Sequence, residues 1–207
     1  MNSSFKKTII LKIDPDKPDM KVIRQAARII ESGGLVAFPT ETVYGVGVNV
    51  LDDKAVKSLY KIKNRPAGKP FTVHISDIRQ ITQTWNCAIG KNARALIDKF
   101  WPGALTIILK SDKGDTIGFR MPDNRIAHLL ISEAKVPIGA PSANISGNTP
   151  PVSAEDVISQ LNGKIDMILD GGRAGLGIES TVVDMTLSRP KVIRQGAIGS
   201  EKINELL

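Results

Sequence analysis

Six short runs, LVAF, FTVHI, LTIIL, VPIGA, MILD and TVVDM, constrain most what this chain can fold into. Each is rich in β-branched and apolar residues, which suit a pleated, buried strand, and weaker runs of the same kind lie at TIILKI and KVIR. Between several of them the apolar residues recur at helical spacing, near residues 53–62, 91–100, 123–134 and 153–161. Ahead of them all, Val22, Ile23, Ala26, Ala27 and Ile30 mark an amphipathic helix between Asp19, a candidate N-cap, and the glycine pair ending at Gly34. Strands alternating with helices imply an α/β layer structure. The short turns from LTIIL to TIGFR and from TVVDM to KVIR read as antiparallel hairpins. The expected fold is a twisted sheet of mixed parallel and antiparallel strands flanked by helices. No repeat, low-complexity tract or linker divides residues 1–207, so one domain is expected.

The loops are unusual. LVAF runs into PTETVYGVG, VPIGA into PSANISGNTPP and MILD into GGRAGLGIES, and FTVHI is preceded by KNRPAGKP. Loops that only close a turn run to about four to six residues, and these are longer. In α/β sheets, loops at strand ends are where ligands sit.

Composition narrows the partners. Lys plus Arg is 28 against 21 for Asp plus Glu, a formal charge of +7, and the sequence pI is about 9.5. That balance favours anions such as nucleotides or RNA, although the basic residues are scattered as on a solvated surface. The single cysteine, Cys87, supports neither a disulfide framework nor a C-x-x-C site and fits a reducing cytosol. The N-terminal MNSSFKKTIILKIDPD lacks the uninterrupted apolar core of a signal peptide, and nowhere do about eighteen apolar residues run together. A soluble, cytoplasmic protein without membrane contact is expected.

Several residues carry chemistry. KIKNRPAGKP places Lys63, Arg65 and Lys69 in one loop, where Pro66 favours an extended Arg65 and side chains two apart point the same way. A guanidinium fork and an ammonium converging there suit a polyphosphate, while a basic helix C-terminus explains the same residues structurally. Ser142 and Asn144 are also two apart and offer a hydroxyl and an amide to phosphate, ribose or base; they are equally ordinary turn formers. GGRAGLGIES matches neither common glycine-rich nucleotide motif and leads into Glu179, Ser180 and Thr181, leaving an anion-binding nest or a flexible turn open. In FTVHI, Phe71, Val73 and Ile75 alternate to one face and Thr72 and His74 to the other. His74 reads as a satisfied strand histidine or a site residue, and His128 as structural or surface. Arg120, ending a strand before Met121 and Pro122, suits a carboxylate or a surface acid. No H-E-x-x-H or G-x-S-x-G signature appears, which weighs against zinc or triad hydrolysis.

Taken together, PTETVYG, the K-x-R of KNRP, KPFTVHI, FWPGALTIIL, FRMP, the S-x-N of APSANISG, ILDGG, ESTVVD and VIRQGAI resemble the YrdC-like family of threonylcarbamoyl-adenylate synthases, in order from about residue 20 to 198. The resemblance implies a YrdC-like sheet with a concave basic pocket. It implies the reaction of L-threonine, bicarbonate and ATP to threonylcarbamoyl-AMP and pyrophosphate, a nucleotidyl transfer leading to threonylcarbamoyladenosine in tRNA. Mg²⁺ would enter with ATP, with no tightly bound cofactor, and a downstream threonylcarbamoyl transferase would take the product. The missing catalytic dyad fits, because a carbamate formed from threonine's amine and carbon dioxide is already an anionic nucleophile that needs mainly positioning and charge neutralisation.

Carried over by the resemblance, Lys63 and Arg65 are the catalytic pair, and the ATP side comprises Lys63, Arg65, Lys69, Thr116, Ser142, Asn144 and Arg194. The threonine side comprises Thr42, His74, Arg120, Ala140 and Ser180, with Thr40, Tyr44 and Thr181 of second rank. PTETVYGVG would line the amino-acid end, Val43 and Thr42 meeting a methyl and a hydroxyl and the glycines admitting close backbone approach. The chain departs from the family in the valines of YGVGVNV, where Leu and Ala are usual, and in Gln195, where Pro is common. Longer members carry a linker and a C-terminal domain; here the sequence stops soon after Arg194, so whatever covers the site there is expected to be absent or supplied by a flexible loop.

Two rival readings remain. A non-catalytic RNA-binding module is compatible with +7 and with phosphate contacts to tRNA or double-stranded RNA, but 4% aromatic residues leave few stacking platforms. Carbamoyl-adenylate formation belongs to related domains in far longer, zinc-finger-bearing chains, which one cysteine and 207 residues do not accommodate.

Overall fold

The computed structural model describes residues 7–66 and 68–207; Met1 to Lys6 of the N-terminal stretch and Ala67 of KNRPAGKP lie outside the described residues. In chain order the strands are β1 (Ile9–Lys12), β2 (Val36–Phe38), β3 (Gly45–Asn49), β4 (Val73–His74), β5 (Leu105–Lys110), β6 (Thr116–Arg120), β7 (Ile138–Gly139), β8 (Met167–Asp170), β9 (Thr181–Asp184) and β10 (Lys191–Arg194). The helices are α1 (Met20–Glu31), α2 (Asp53–Ile62), α3 (Arg79–Trp85), α4 (Lys91–Phe100), α5 (Arg125–Glu133), α6 (Ala154–Leu161) and α7 (Ser200–Asn204). Asp19 caps α1 by accepting from the Lys21 amide at 2.8 Å, and Ser153 and Asp156 close a capping box on α6.

Among the described residues the strands form one sheet in the order β1-β8-β2-β3-β7-β4-β6-β5-β9-β10. Pairs β1–β8, β2–β8, β4–β6 and β5–β9 are parallel; β2–β3, β3–β7, β4–β7, β5–β6 and β9–β10 are antiparallel. The mixed sheet and both hairpins thus follow the sequence pattern.

Period-two alternation builds the layers. Val36, Phe38, Met167 and Leu169 pack with α1 and α5 on one face, whereas Ala37, Ile168, Val46 and Val48 pack with α2 and α6 on the other. A third cluster joins α3, α4 and α7 to β5 and β6 through Ile81, Leu96, Ile203, Ile107 and Phe119. Both faces of the central strands are therefore covered, which is why they read as continuous apolar runs.

PTETVYGVG is shorter as a loop than expected. It ends at Tyr44, and Gly45–Asn49 is strand β3, antiparallel to β2 and wholly buried. Its glycines disguise a strand because glycine is poor strand material in isolation. At Gly47 a Cβ would lie 3.1 Å from both Ile30 Cδ1 and Phe38 Cε1, so the bare backbone lets α1 and β2 close together. FTVHI and VPIGA shrink to the two-residue strands β4 and β7, where neighbouring backbone leaves the sheet to form the loops. Helices α3 and α7 are additions to the sequence reading.

Candidate active site

The four long loops meet. Thr40 and Val43 of the first loop, Arg65 and Pro70 of the second, Ala140, Pro141 and Ser142 of the third, and Glu179 and Ser180 of the fourth line one cavity of about 80 Å³. Gly45, Thr72, His74, Thr106, Arg120 and Arg194 complete its wall. An adjoining cavity of about 190 Å³ shares Arg65, Pro70, Thr72, Thr106 and Arg194 and reaches Thr116 and Gly118. Together they form a groove with a confined end at Arg120 and a wider end at Thr116. A larger groove of about 850 Å³ runs past Lys21, Arg24 and Arg28 on α1, but these residues are solvent-exposed and it lies at the N-terminal ends of β2 and β8, away from the converging loops.

The confined end is built on the parallel pair β4–β6, whose register places His74 beside Arg120. Arg120 is buried, and its guanidinium is held by three residues from two segments: Nη2 donates to Glu41 Oε1 at 2.8 Å and to Thr42 Oγ1 at 2.7 Å, and Nε to the Gly103 carbonyl at 3.3 Å. Nη1 has no hydrogen-bond partner among the described residues, so the fork retains donors for a ligand carboxylate. Burial lowers the Arg120 pKa and Glu41 opposes that shift. A relay fixes Thr42: Thr40 Oγ1 gives its proton to the Val43 carbonyl, so Thr42 must donate to Thr40 while accepting from Arg120.

His74 is buried, with Nδ1 3.3 Å from the Thr72 carbonyl and its ring edge-on to Phe38. Burial, and then the positive charge of Arg120, push its pKa down to about 3. It is a neutral imidazole at physiological pH, suited to hydrogen bonding and not to donating charge.

On the opposite wall, Ser180 Oγ lies 2.8 Å from Thr106 Oγ1, and Arg194 donates to both the carbonyl and the hydroxyl of Ser180. Arg194 also pairs with Glu179 at 3.2 Å. Three guanidinium groups, from Arg65, Arg120 and Arg194, thus line the cavity against the single lining carboxylate of Glu179.

The basic loop is organised differently from the extended arrangement expected. Lys63 is the C-cap of α2 in helical conformation, and Asn64 adopts φ 49°. Arg65 N bonds the Tyr60 carbonyl and Asn64 N the Lys61 carbonyl, a Schellman ending that separates the two side chains. Lys63 is 1% exposed, and its Nζ donates to the Ser142 and Asn144 carbonyls behind the cavity wall. Burial, then the nearby Arg65, lower its pKa to about 8. Arg65 lines the cavity, lies over Phe71 and donates to the Lys69 and Pro70 carbonyls, which shapes its own loop.

The remaining site residues divide. Thr40, Ala140, Ser142 and Ser180 line the cavity and Thr116 the adjoining one. Lys69 is exposed and lines neither. Asn144 Nδ2 donates to the Ile145 and Asn148 carbonyls, and its Oδ1 is buried without a partner among the described residues. Tyr44 donates to the Gly172 carbonyl at 2.6 Å, and burial raises its pKa. Thr181 bonds the Ile198 carbonyl and accepts from the Gly196 and Ile198 amides. Sequence reasoning passed over Glu41 and Thr106. The available signals were an acid flanked by threonines in an apolar setting, and a lone hydroxyl within LTIIL.

The model of the Sua5/YciO/YrdC family, described as telomere recombination, matches residues 28–196. The chain is 42% identical over 209 residues to the threonylcarbamoyl-AMP synthase of Pyrococcus abyssi, covering 97% of this chain and 61% of that protein. It is 43% identical over 195 residues to the threonylcarbamoyl-AMP synthase of Bacillus subtilis, covering 89% and 56%. The crystal structure of P. abyssi Sua5 complexed with L-threonine superposes with a TM-score of 0.91 at 42% identity, over 97% of this chain and 61% of that one. The chain therefore spans about three-fifths of the length of these relatives.

Proposed function

Because the chain belongs to the Sua5/YciO/YrdC family, we propose that it is a nucleotidyltransferase forming threonylcarbamoyl-AMP and pyrophosphate from L-threonine, bicarbonate and ATP. The observation that carries this reading is a buried arginine with an uncommitted Nη1 on a confined cavity, joined to a wider groove lined by two more arginines.

In this reading Arg120 Nη1 takes the carboxylate of threonine, while Val43 and the hydroxyl groups at Thr40 and Ser180 face its small side chain. Carbon dioxide released from bicarbonate adds to the neutral amine, which loses a proton and becomes a carbamate. A carbamate oxygen attacks the α-phosphorus of ATP, the bond to the bridging oxygen breaks, and pyrophosphate leaves. Arg65 and Arg194 neutralise the charge that builds up, and Mg²⁺ enters with ATP as part of the substrate. Ser142 and Asn144, their carbonyls held by Lys63, belong to the loop against which the nucleotide lies, with Lys69 and Thr116 at its outer end. The product supplies a threonylcarbamoyl transferase that modifies tRNA in the cytoplasm.

Pyrophosphate release by the purified protein tests this, with Mg²⁺ and with threonine or bicarbonate omitted in turn, beside Arg65→Ala and Lys63→Ala variants. Release that requires both substrates and collapses with Arg65→Ala is expected. No release from a folded protein that binds RNA would favour the binding-module reading, and carbamoyl-phosphate-dependent ATP turnover without threonine would favour carbamoyl-adenylate formation.

A further inference from the structure

We propose that Glu41 is a positioning residue that orients Arg120 toward the amino-acid carboxylate, a role that rests on the substrate reading above. Glu41 and Arg120 are 79 residues apart in sequence, yet Oε1 meets Nη2 at 2.8 Å with side chains 16% and 7% exposed. A guanidinium rotates about its Nε–Cζ bond unless its nitrogens are individually engaged. Gly103 engages Nε, and Glu41 and Thr42 between them use both protons of Nη2, so Nη1 is the nitrogen left for substrate. Glu41 is itself anchored: its carbonyl accepts from the Leu176 amide at 2.9 Å and the Thr42 carbonyl from the Gly177 amide at 2.9 Å, pinning the first loop to the glycine-rich one. Its Oε2 is buried without a hydrogen-bond partner among the described residues, an arrangement expected of a carboxylate retained for its partner and not for its own solvation.

Two variants separate hydrogen bonding from bulk. Glu41→Gln keeps an oxygen able to accept from Nη2, while Glu41→Met keeps similar volume and offers no comparable acceptor. In Glu41→Met, KM for threonine is expected to rise on the order of tenfold or more, with KM for ATP held within about twofold. Glu41→Gln should stay within about threefold of wild type for both. Nitrogen-15 NMR of the guanidinium groups reads the positioning directly, without turnover. The Nη signals of Arg120 should be separately resolved in wild type and Glu41→Gln and averaged in Glu41→Met.

Wild-type Arg120 signals as averaged as those of exposed Arg24 would overturn the proposal without any variant. So would a Gln variant as impaired as the Met variant, or equal rises in both KM values. A wild type that shows no threonine-dependent pyrophosphate release would overturn the substrate reading instead, leaving the NMR comparison to decide the role of Glu41.

Discussion

Arg194 grips Ser180 by backbone and side chain together, with Nη2 2.9 Å from its carbonyl and 3.0 Å from its hydroxyl. The β9–β10 register shifts between Val192 and Arg194, and such an irregularity turns a strand side chain from its regular direction. Lysine preserves the charge but cannot reproduce a planar fork that also engages the Ser180 carbonyl through Nε. Arg194→Lys is therefore expected to lower kcat/KM for ATP by about tenfold or more, as expected for losing a charged hydrogen bond. Melting should fall modestly, because buried Ser180 loses hydrogen bonds whereas the substantially exposed pair with Glu179 adds little. Steady-state kinetics beside a thermal melt check both parts.

His74 makes stability depend on acid. Its imidazole has a folded pKa of about 3 against 6.5 ordinarily. Between those values the unfolded chain binds a proton that the folded one refuses. The contribution is whole above about pH 6.5 and declines as pH falls toward 3, with a slope of up to about 1.4 kcal/mol per pH unit. Urea unfolding of wild type and His74→Gln between pH 7 and pH 4, buffer conditions chosen to span about this window, should show the steeper decline in wild type only. Parallel curves would mean that the buried ring does not control this titration.

Lys63 is expected to act on stability as well as on the nucleotide. Lys63→Met leaves the Ser142 and Asn144 carbonyls without their donor. A buried acceptor left unpaired costs about 1–3 kcal/mol, so a loss of at least about 2 kcal/mol is expected in denaturant unfolding. KM for ATP should rise in the same variant, because Ser142 lines the cavity from the loosened loop.

Two glycines should respond to different degrees. At Gly196 a Cβ would lie 2.3 Å from the Glu179 carbonyl oxygen and 2.4 Å from the Ser180 carbonyl carbon, both backbone atoms beside the site. Gly196→Ala should destabilise by about 3 kcal/mol or more and reduce activity sharply. Gly172 has φ +82° and open space around its missing Cβ, so Gly172→Ala should cost only about 1–2 kcal/mol of left-handed strain. Equal melting temperatures for the two variants would contradict this contrast.

Much of the scaffold was legible because its causes are local. Apolar spacing places α1, α2, α4, α5 and α6 close to their sequence-based positions, with side-chain caps starting all of these but α4, and β-branched runs mark the strands. The loops that meet at the cavity were visible as sequences too long and too polar for simple turns. Strand β3 was hidden because its glycines are explained by the packing of Ile30 and Phe38 against them, a relation between distant segments.

The sequence alone thus determined the mixed α/β layering, the family resemblance and the identity of the loops, since periodicity, capping and residue type are properties of neighbouring positions. Only the tertiary structure decided which groups within those loops face one another. Lys63 turns away to hold a loop about eighty residues downstream, while Glu41 and Arg120 find each other across a gap of similar length. The physical reason is that burial forces each polar atom to find a partner, and that partner is fixed by sheet register and loop path.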